Sequence, residues 1–111
     1  MIGQQLAQLA PADTNNASLY SPGDGLVGVN ITQLIIANNT AGAIAARVFF
    51  DHDGTTYDAT TALYYDKSIG ANDSLVQALD IWMSDTAGNI AVRSATNNAL
   101  SFTIFGVEYP A

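Results

Sequence analysis

The stretch LVGVNITQLIIANNTAGAIAARVFFD, from Leu26 to Asp51, decides the fold because it contains two long apolar strand patterns. Side chains alternate between two faces along a β-strand, and both halves of the stretch follow this period of two. In the first half the alternation slips by one residue near Thr32 and Gln33, which predicts a bulge or corner there. Between the halves, residues 38–42 (NNTAG) tolerate turn geometry and are too few for a helix. The stretch is therefore predicted to be a β-hairpin.

Similar patterns alternate with turn signals along the rest of the chain. The clearest covers residues 75–83, where apolar residues recur with a period much closer to 2 than to 3.6. Further strands are predicted over residues 17–21, 57–66, 90–94 and 100–109. About eight strands, with turn signals roughly every 8–12 residues and no convincing helix, predict an all-β fold. The expected architecture is an antiparallel β-sandwich of the jelly-roll type.

Two local signals refine this expectation. Asp53-Gly54 is among the strongest short hairpin signals, so a tight turn is predicted directly after Asp51. In the last strand, apolar residues change face at Gly106, which predicts a slip and a strand that bends between two sheets.

The N-terminal residues are ambiguous. Ile2, Leu6 and Leu9 have helical spacing, whereas the Gln-rich remainder fits an edge strand or an extended arm better. We interpret residues 1–16 as an N-terminal arm or edge strand and residues 17–111 as the β-sandwich domain. Because an apolar arm needs a partner, Ile2, Leu6 and Leu9 are the candidate interface residues.

Composition narrows the function classes. The 111 residues suit one domain, and 49% are hydrophobic while only 12% are charged. A surface with so few charges often lies partly against a partner. Three Lys plus Arg against ten Asp plus Glu give a net charge of −7, which repels phosphate and argues against nucleic-acid binding.

The absence of cysteine excludes disulfides, thiolate metal sites and cysteine nucleophiles. After Met1 there is neither a basic segment nor a long apolar one, so no signal peptide is expected. No apolar run approaches the length that crosses a membrane, so no membrane association is expected.

Catalytic chemistry has little support. His52 is the only histidine, and no serine lies in a Gly-X-Ser-X-Gly context, so a Ser-His-Asp triad is not indicated. We expect His52 to be a turn residue. The sequence therefore predicts no catalytic residue, no cofactor and no enzymatic activity.

The segment DHDGTTYD offers weak metal-ligand candidates. Asp51, Asp53 and Asp58 are closely spaced carboxylates around a glycine, which is an arrangement that Ca²⁺ can use. The closing glutamate of an EF-hand loop is missing, and a solvated hairpin turn explains the same residues more simply. We expect the turn to be structural.

Six aromatic residues raise the alternative of a carbohydrate-binding face. Planar rings form such faces in lectin-like sandwiches, but aromatic residues in strands usually lie in a core or a subunit interface. The residues concerned are Tyr20, Tyr57, Tyr64, Tyr65, Trp82 and Tyr109.

Four segments in this order resemble small β-sandwich structural proteins of tailed bacteriophage virions. They are SLYSPGDG (18–25), LIIANNTAGAIAARVFF (34–50), ALYYDKSIGANDSL (62–75) and LSFTIFGVEY (100–109). In those proteins a Leu-Tyr precedes a Pro/Gly turn, followed by a strand ending in Asn, a Val-rich strand and a late loop similar to Ile-Gly-Ala-Asn-Asp-Ser. The turn YSPGDG departs from the more usual longer Pro-Gly turn. The resemblance covers about residues 17–109.

This resemblance implies a non-enzymatic virion protein that assembles by surface contact, often as a homotrimer. The expected role is capsid decoration or cement, bridging neighbouring subunits of the major capsid protein on the outer surface of the shell. Such a protein is made in the host bacterial cytoplasm. The alternatives are a neck, baseplate or tail-fibre adaptor and a carbohydrate-binding module. The chain shows no coiled-coil stalk of the kind expected in a fibre, which favours decoration.

Overall fold

Eight β-strands form the protein in the computed structural model, which describes residues 3–111. The strands are β1 Gln4–Leu9, β2 Ala17–Tyr20, β3 Leu26–Asn38, β4 Ile44–Asp51, β5 Ala62–Ile69, β6 Ser74–Met83, β7 Asn89–Ser94 and β8 Leu100–Pro110. Among residues 3–111 no helix is long and apolar enough to cross a membrane.

The strands form two four-stranded sheets. One has the order β1-β8-β3-β6 and the other β2-β7-β4-β5, and every pairing is antiparallel. The chain crosses repeatedly from one sheet to the other, so strands that are neighbours in a sheet are mostly distant in sequence. Two interlocked Greek keys with this strand order are a jelly roll. The predicted antiparallel sandwich of about eight strands is confirmed.

The core lies between the two sheets. Because side chains alternate along a strand, one face of each strand turns inward and is shielded from water. The residues that fill this space are almost fully buried: Val29, Ile31, Leu34, Ile36, Val48, Ile90, Val92, Leu100, Phe102 and Ile104.

The predicted hairpin between residues 26 and 51 is wrong. β3 pairs with β6 and β8, whereas β4 pairs with β5 and β7 in the other sheet. Residues 39–43 carry the chain across the sandwich instead of turning it back. The buried Asn38 amide holds this crossing by donating hydrogen bonds to the carbonyls of Gly42 and Ile69 at 2.9 Å and of Gly70 at 3.0 Å. Turn-forming residues connect the two sheets here, so both strands find their partners elsewhere.

The slip predicted near Thr32 is confirmed. The register of β3 shifts between Ile31 and Gln33 against both of its neighbours. The slip predicted in β8 is wrong, because β8 runs against β3 without an extra residue of its own and stays in one sheet. The face change at Gly106 is ordinary alternation. Gly106 is required because a Cβ there would collide with the Asn30 carbonyl.

The tight turn predicted after Asp51 is also wrong. β4 and β5 do pair as a hairpin, but residues 52–61 form a long loop and β5 begins at Ala62 rather than at residue 57. The reason is local, since the Asp51 carboxylate accepts hydrogen bonds from the backbone N–H groups of Thr55, at 2.8 Å, and Thr56. These bonds hold the chain in a wide loop.

Candidate interaction surface

The outward side of the β1-β8-β3-β6 sheet carries apolar and uncharged polar residues. Of the outward-facing side chains in this sheet, Asp80 alone is charged. We call this surface the bare face; its main residues are Gln5 and Gln8 in β1, Asn30, Gln33 and Ile35 in β3, Val76, Ala78, Asp80 and Trp82 in β6, and Thr103, Phe105, Val107 and Tyr109 in β8. Protein interfaces are depleted of charge and enriched in aromatic residues in the same way.

One part of the bare face is a row that crosses the whole sheet. Val76 lies opposite Ile35, Ile35 lies opposite Thr103, and Thr103 lies opposite Gln8. Val76 is 57% exposed although valine is an apolar residue. The Gln8 amide donates a hydrogen bond to the Thr103 hydroxyl at 3.0 Å, so the row ends in a fixed polar contact.

The other part of the bare face is an aromatic corner formed by Trp82 and Tyr109. Their ring centroids are 5.5 Å apart and their planes meet at 58°. The indole lies over Gly28 in β3, where a Cβ would overlap its six-membered ring. Trp82 is nevertheless 48% exposed. One face of the indole therefore rests on a glycine while the other faces solvent.

The outward side of the β2-β7-β4-β5 sheet is built differently. Phe49 points away from the main core, yet it is only 1% exposed. Tyr57 from the 52–61 loop and Tyr65 from β5 pack edge-on against it, with centroids at 6.2 and 6.4 Å. The Tyr57 hydroxyl donates to the Gly54 carbonyl at 3.0 Å, which fixes the ring within its loop. We call this surface the covered face.

The covered face also carries both arginines of its sheet. Arg47 and Arg93 lie directly opposite each other in β4 and β7. Arg47 forms two hydrogen bonds to the Asp66 carboxylate, at 2.7 and 3.1 Å, and its guanidinium lies 3.9 Å from the centroid of the Tyr65 ring. Arg93 donates from Nε to the Thr14 carbonyl at 2.6 Å. Hydrogen bonding from Arg47 lowers the pKa of Asp66.

Asp66 reaches Arg47 because its backbone is left-handed, with a φ of 58°. The register of β4 against β5 shifts at this point, so the bulge aims the carboxylate at the guanidinium. Sequence reasoning missed this ion pair because bulge positions depend on the pairing of two strands.

The carboxylates of the three weak metal candidates accept hydrogen bonds from residues of their own loop. Asp51 accepts the backbone N–H groups described above, Asp53 accepts a hydrogen bond from the Thr55 hydroxyl at 2.8 Å, and Asp58 accepts one from the Thr60 N–H at 2.8 Å. Hydrogen bonds from Thr56 lower the pKa of Asp51, and those from Thr60 lower the pKa of Asp58. Within residues 3–111 no three His, Asp or Glu side chains gather as a metal site.

His52 lies in the same exposed loop. Its Nε2 is 3.9 Å from a carboxylate oxygen of Asp85, which forms an ion pair only when the imidazole is protonated. Both side chains are largely exposed, so the contact is a surface contact between two loops.

Two of the three candidate interface residues at the N-terminus pack against their own chain. β1 is an edge strand that pairs with β8, and Leu6 and Leu9 are half-buried against the core. Ile2 lies outside the described residues. The bare face, rather than the first strand, therefore offers the exposed apolar area.

The six aromatic residues named from the sequence lie in three places. Tyr57 and Tyr65 cover Phe49, and Trp82 and Tyr109 form the aromatic corner. Tyr20 and Tyr64 are half-buried and donate hydrogen bonds to Glu108 at 3.0 Å and Gln77 at 2.9 Å. Burial raises the pKa of both tyrosines.

No protein family model and no curated protein matches the chain. Among solved structures, the chain is similar to one in the structure of the infectious bursal disease virus Gx strain, with 12% sequence identity and a TM-score of 0.45. The match covers 98% of this chain and 31% of that one, so the chain spans less than a third of its length.

Proposed function

We propose that the protein is a non-enzymatic structural component of a bacteriophage virion, of the capsid decoration or cement type. It attaches to the major capsid protein on the outside of the shell and bridges neighbouring subunits, as a homotrimer. The observation that carries this proposal is the bare face, where Val76 and Trp82 remain exposed in a sheet that needs neither for its core.

Apolar area that a folded chain leaves in water favours association, at roughly 25 cal/mol for each Å² that a partner covers. The row from Val76 to Gln8 is wide enough to span four strands and has no charge that would have to lose its water on contact. This is the surface that we assign to attachment. A trimer forms if the same row also contacts a second copy around a closed symmetry axis.

The charge of the chain fits the outside of a shell. A net charge of −7 is repelled by packaged nucleic acid, whereas it keeps an externally exposed protein soluble. The resemblance to phage sandwich proteins across the SLYSPGDG and LSFTIFGVEY segments supports the same placement.

The proposal is tested on virions that carry the protein and on particles made without it. A cement binds the assembled shell in preference to the free subunits, so its removal lowers the temperature at which particles rupture or release DNA. Immunogold labelling should place it over the capsid in many copies. Labelling confined to the tail in few copies identifies the adaptor instead, and unchanged thermal stability contradicts the cement role.

A further inference from the structure

The aromatic corner has a shape that the attachment row lacks. Gly28 lets the indole of Trp82 lie flat on the strand, because any larger residue would lift the ring from its support. The ring of Tyr109 rises beside it at 58° and forms a wall. Along β6, Trp82 is six residues from Val76, which is about 20 Å in a strand. The corner and the row are therefore separate places on one sheet.

Hydrogen-bonding side chains lie next to the exposed indole of Trp82. Asn30 is the Cα partner of Trp82 across the β3–β6 pairing and faces the same side as Gly28. In the amide orientation that satisfies both of its contacts, its nitrogen donates to Asp80 Oδ1 at 3.0 Å and to the Ile81 carbonyl at 3.2 Å. Asp80 Oδ2 accepts no hydrogen bond from the described residues, and the Asp80 side chain is exposed. One carboxylate oxygen of Asp80, a side chain held by the Asn30 amide, thus remains as an acceptor beside an exposed aromatic face.

We infer that Trp82, Tyr109, Asn30 and Asp80 form a binding site for a neutral glycan, with one pyranose ring stacked on the indole. The axial C–H groups of a pyranose carry a small positive charge and pack on the negative face of an aromatic ring. Its hydroxyl groups are donors that match the remaining Asp80 oxygen. This activity is additional to the proposed structural role and does not depend on it.

Charge and shape select this ligand among those that stack on aromatic rings. Nucleic-acid bases come with phosphates, which the net charge of −7 and the nearby Asp80 repel. Acidic sugars are disfavoured for the same reason. An open platform without an enclosing pocket suits an extended oligosaccharide, whose other residues can continue along the sheet.

The single tryptophan makes the test direct, because all indole fluorescence in this protein comes from Trp82. The probes are neutral tetrasaccharides of glucose, mannose, galactose and N-acetylglucosamine, with oligogalacturonate as the acidic comparison. We expect saturable fluorescence changes with at least one neutral probe and none with the acidic one. Y109A should weaken the binding at least about tenfold while keeping the reporter.

Three further variants keep the test independent of folding defects. G28A should lift the indole and weaken the binding, while V76A, on the distant part of the same face, should bind as the wild type does. W82A, followed by calorimetry, should abolish binding. The inference is overturned if no neutral probe binds at millimolar concentration, if binding survives W82A, or if oligogalacturonate binds more tightly. Loss of virion attachment in W82A without any glycan binding also overturns it, since Trp82 would then be a protein contact.

Discussion

Phe49 and Trp82 lie on the outward sides of opposite sheets, and they differ in how far their side chains are exposed to solvent. Phe49 is 1% exposed and Trp82 is 48% exposed. The difference arises from the loop of residues 52–61, which folds over Phe49 and brings Tyr57 onto it. No segment among residues 3–111 packs over Trp82 in the way that the 52–61 loop packs over Phe49.

This contrast indicates what each face is for. Covering Phe49 requires a held loop, with Asp51 anchoring its start and Tyr57 tied to Gly54. Those features add a small second cluster to the fold, which stabilises the covered face from within the chain. The bare face keeps its aromatic and aliphatic side chains in water, and this is the arrangement expected of a surface completed by a partner.

The largest expected effect is from F49A. Truncating a buried phenylalanine leaves a cavity that its neighbours fill only partly, so we expect a loss of about 3–5 kcal/mol in the free energy of unfolding. Urea denaturation measures it. The control is F105A on the bare face, where the half-buried ring should cost clearly less. Equal losses would show that the two faces are equivalent in stability.

Removing the cover is expected to have a smaller effect. Y57A takes away one edge-on aromatic contact and opens Phe49 to water, for a loss of about 1–3 kcal/mol. It should also create a second apolar patch, so self-association should rise in light scattering. A variant that stays as stable as the wild type would mean that Tyr57 does not shield Phe49.

Acid should loosen the covered face through Asp51. Hydrogen bonds from the Thr56 and Thr55 N–H groups lower the pKa of Asp51 in the folded state. The stability that they contribute is present above the ordinary Asp pKa of about 3.9 and is lost as pH falls through the lowered value. We expect D51N to flatten part of the acid dependence of the urea midpoint below about pH 4. D24N, at a carboxylate without a hydrogen bond from the described residues, is the control and should leave the curve in place.

The smallest expected effect on stability is from W82A. Because the ring is half exposed and rests on the sheet rather than in the core, the free energy of unfolding should change by no more than about 1 kcal/mol. Thermal denaturation followed by circular dichroism checks it. A loss close to that of F49A would show that Trp82 holds the sheet together and is not reserved for a ligand.

Sequence reasoning predicted what depends on alternation along one strand. The period in residues 75–83 and the slip near Thr32 are read directly from neighbouring side chains, and both are present as β6 and the β3 bulge. The predicted 26–51 hairpin failed because the same Asn and Gly residues serve a reversal within one sheet and a crossing between two. Which of these occurs depends on partners far away in the chain, such as β8 for β3.

The candidate surface was predictable only in part. The sequence pattern puts apolar residues on both faces of residues 76–82, and the structure leaves Val76 and Trp82 exposed on one of them. The contact of Trp82 with Gly28 and Tyr109 joins three strands that are distant in sequence. The spacing of these residues along the chain therefore does not predict the contact. The N-terminal leucines looked like an exposed arm because the partner that covers them, β8, is the last strand of the chain.

The most direct test of the bare face as the attachment surface compares two valines of equal exposure. Val76 lies in the row on the bare face, whereas Val27 lies near the start of β3, where the register against β8 shifts, and each is 57% exposed. V76E and V27E should be titrated onto particles made without the protein, and the bound fraction measured against the wild type. We predict that V76E weakens attachment at least about tenfold while V27E stays within about twofold. Attachment that is unchanged in V76E, or equally weakened in both variants, would contradict the assignment of this face to partner binding.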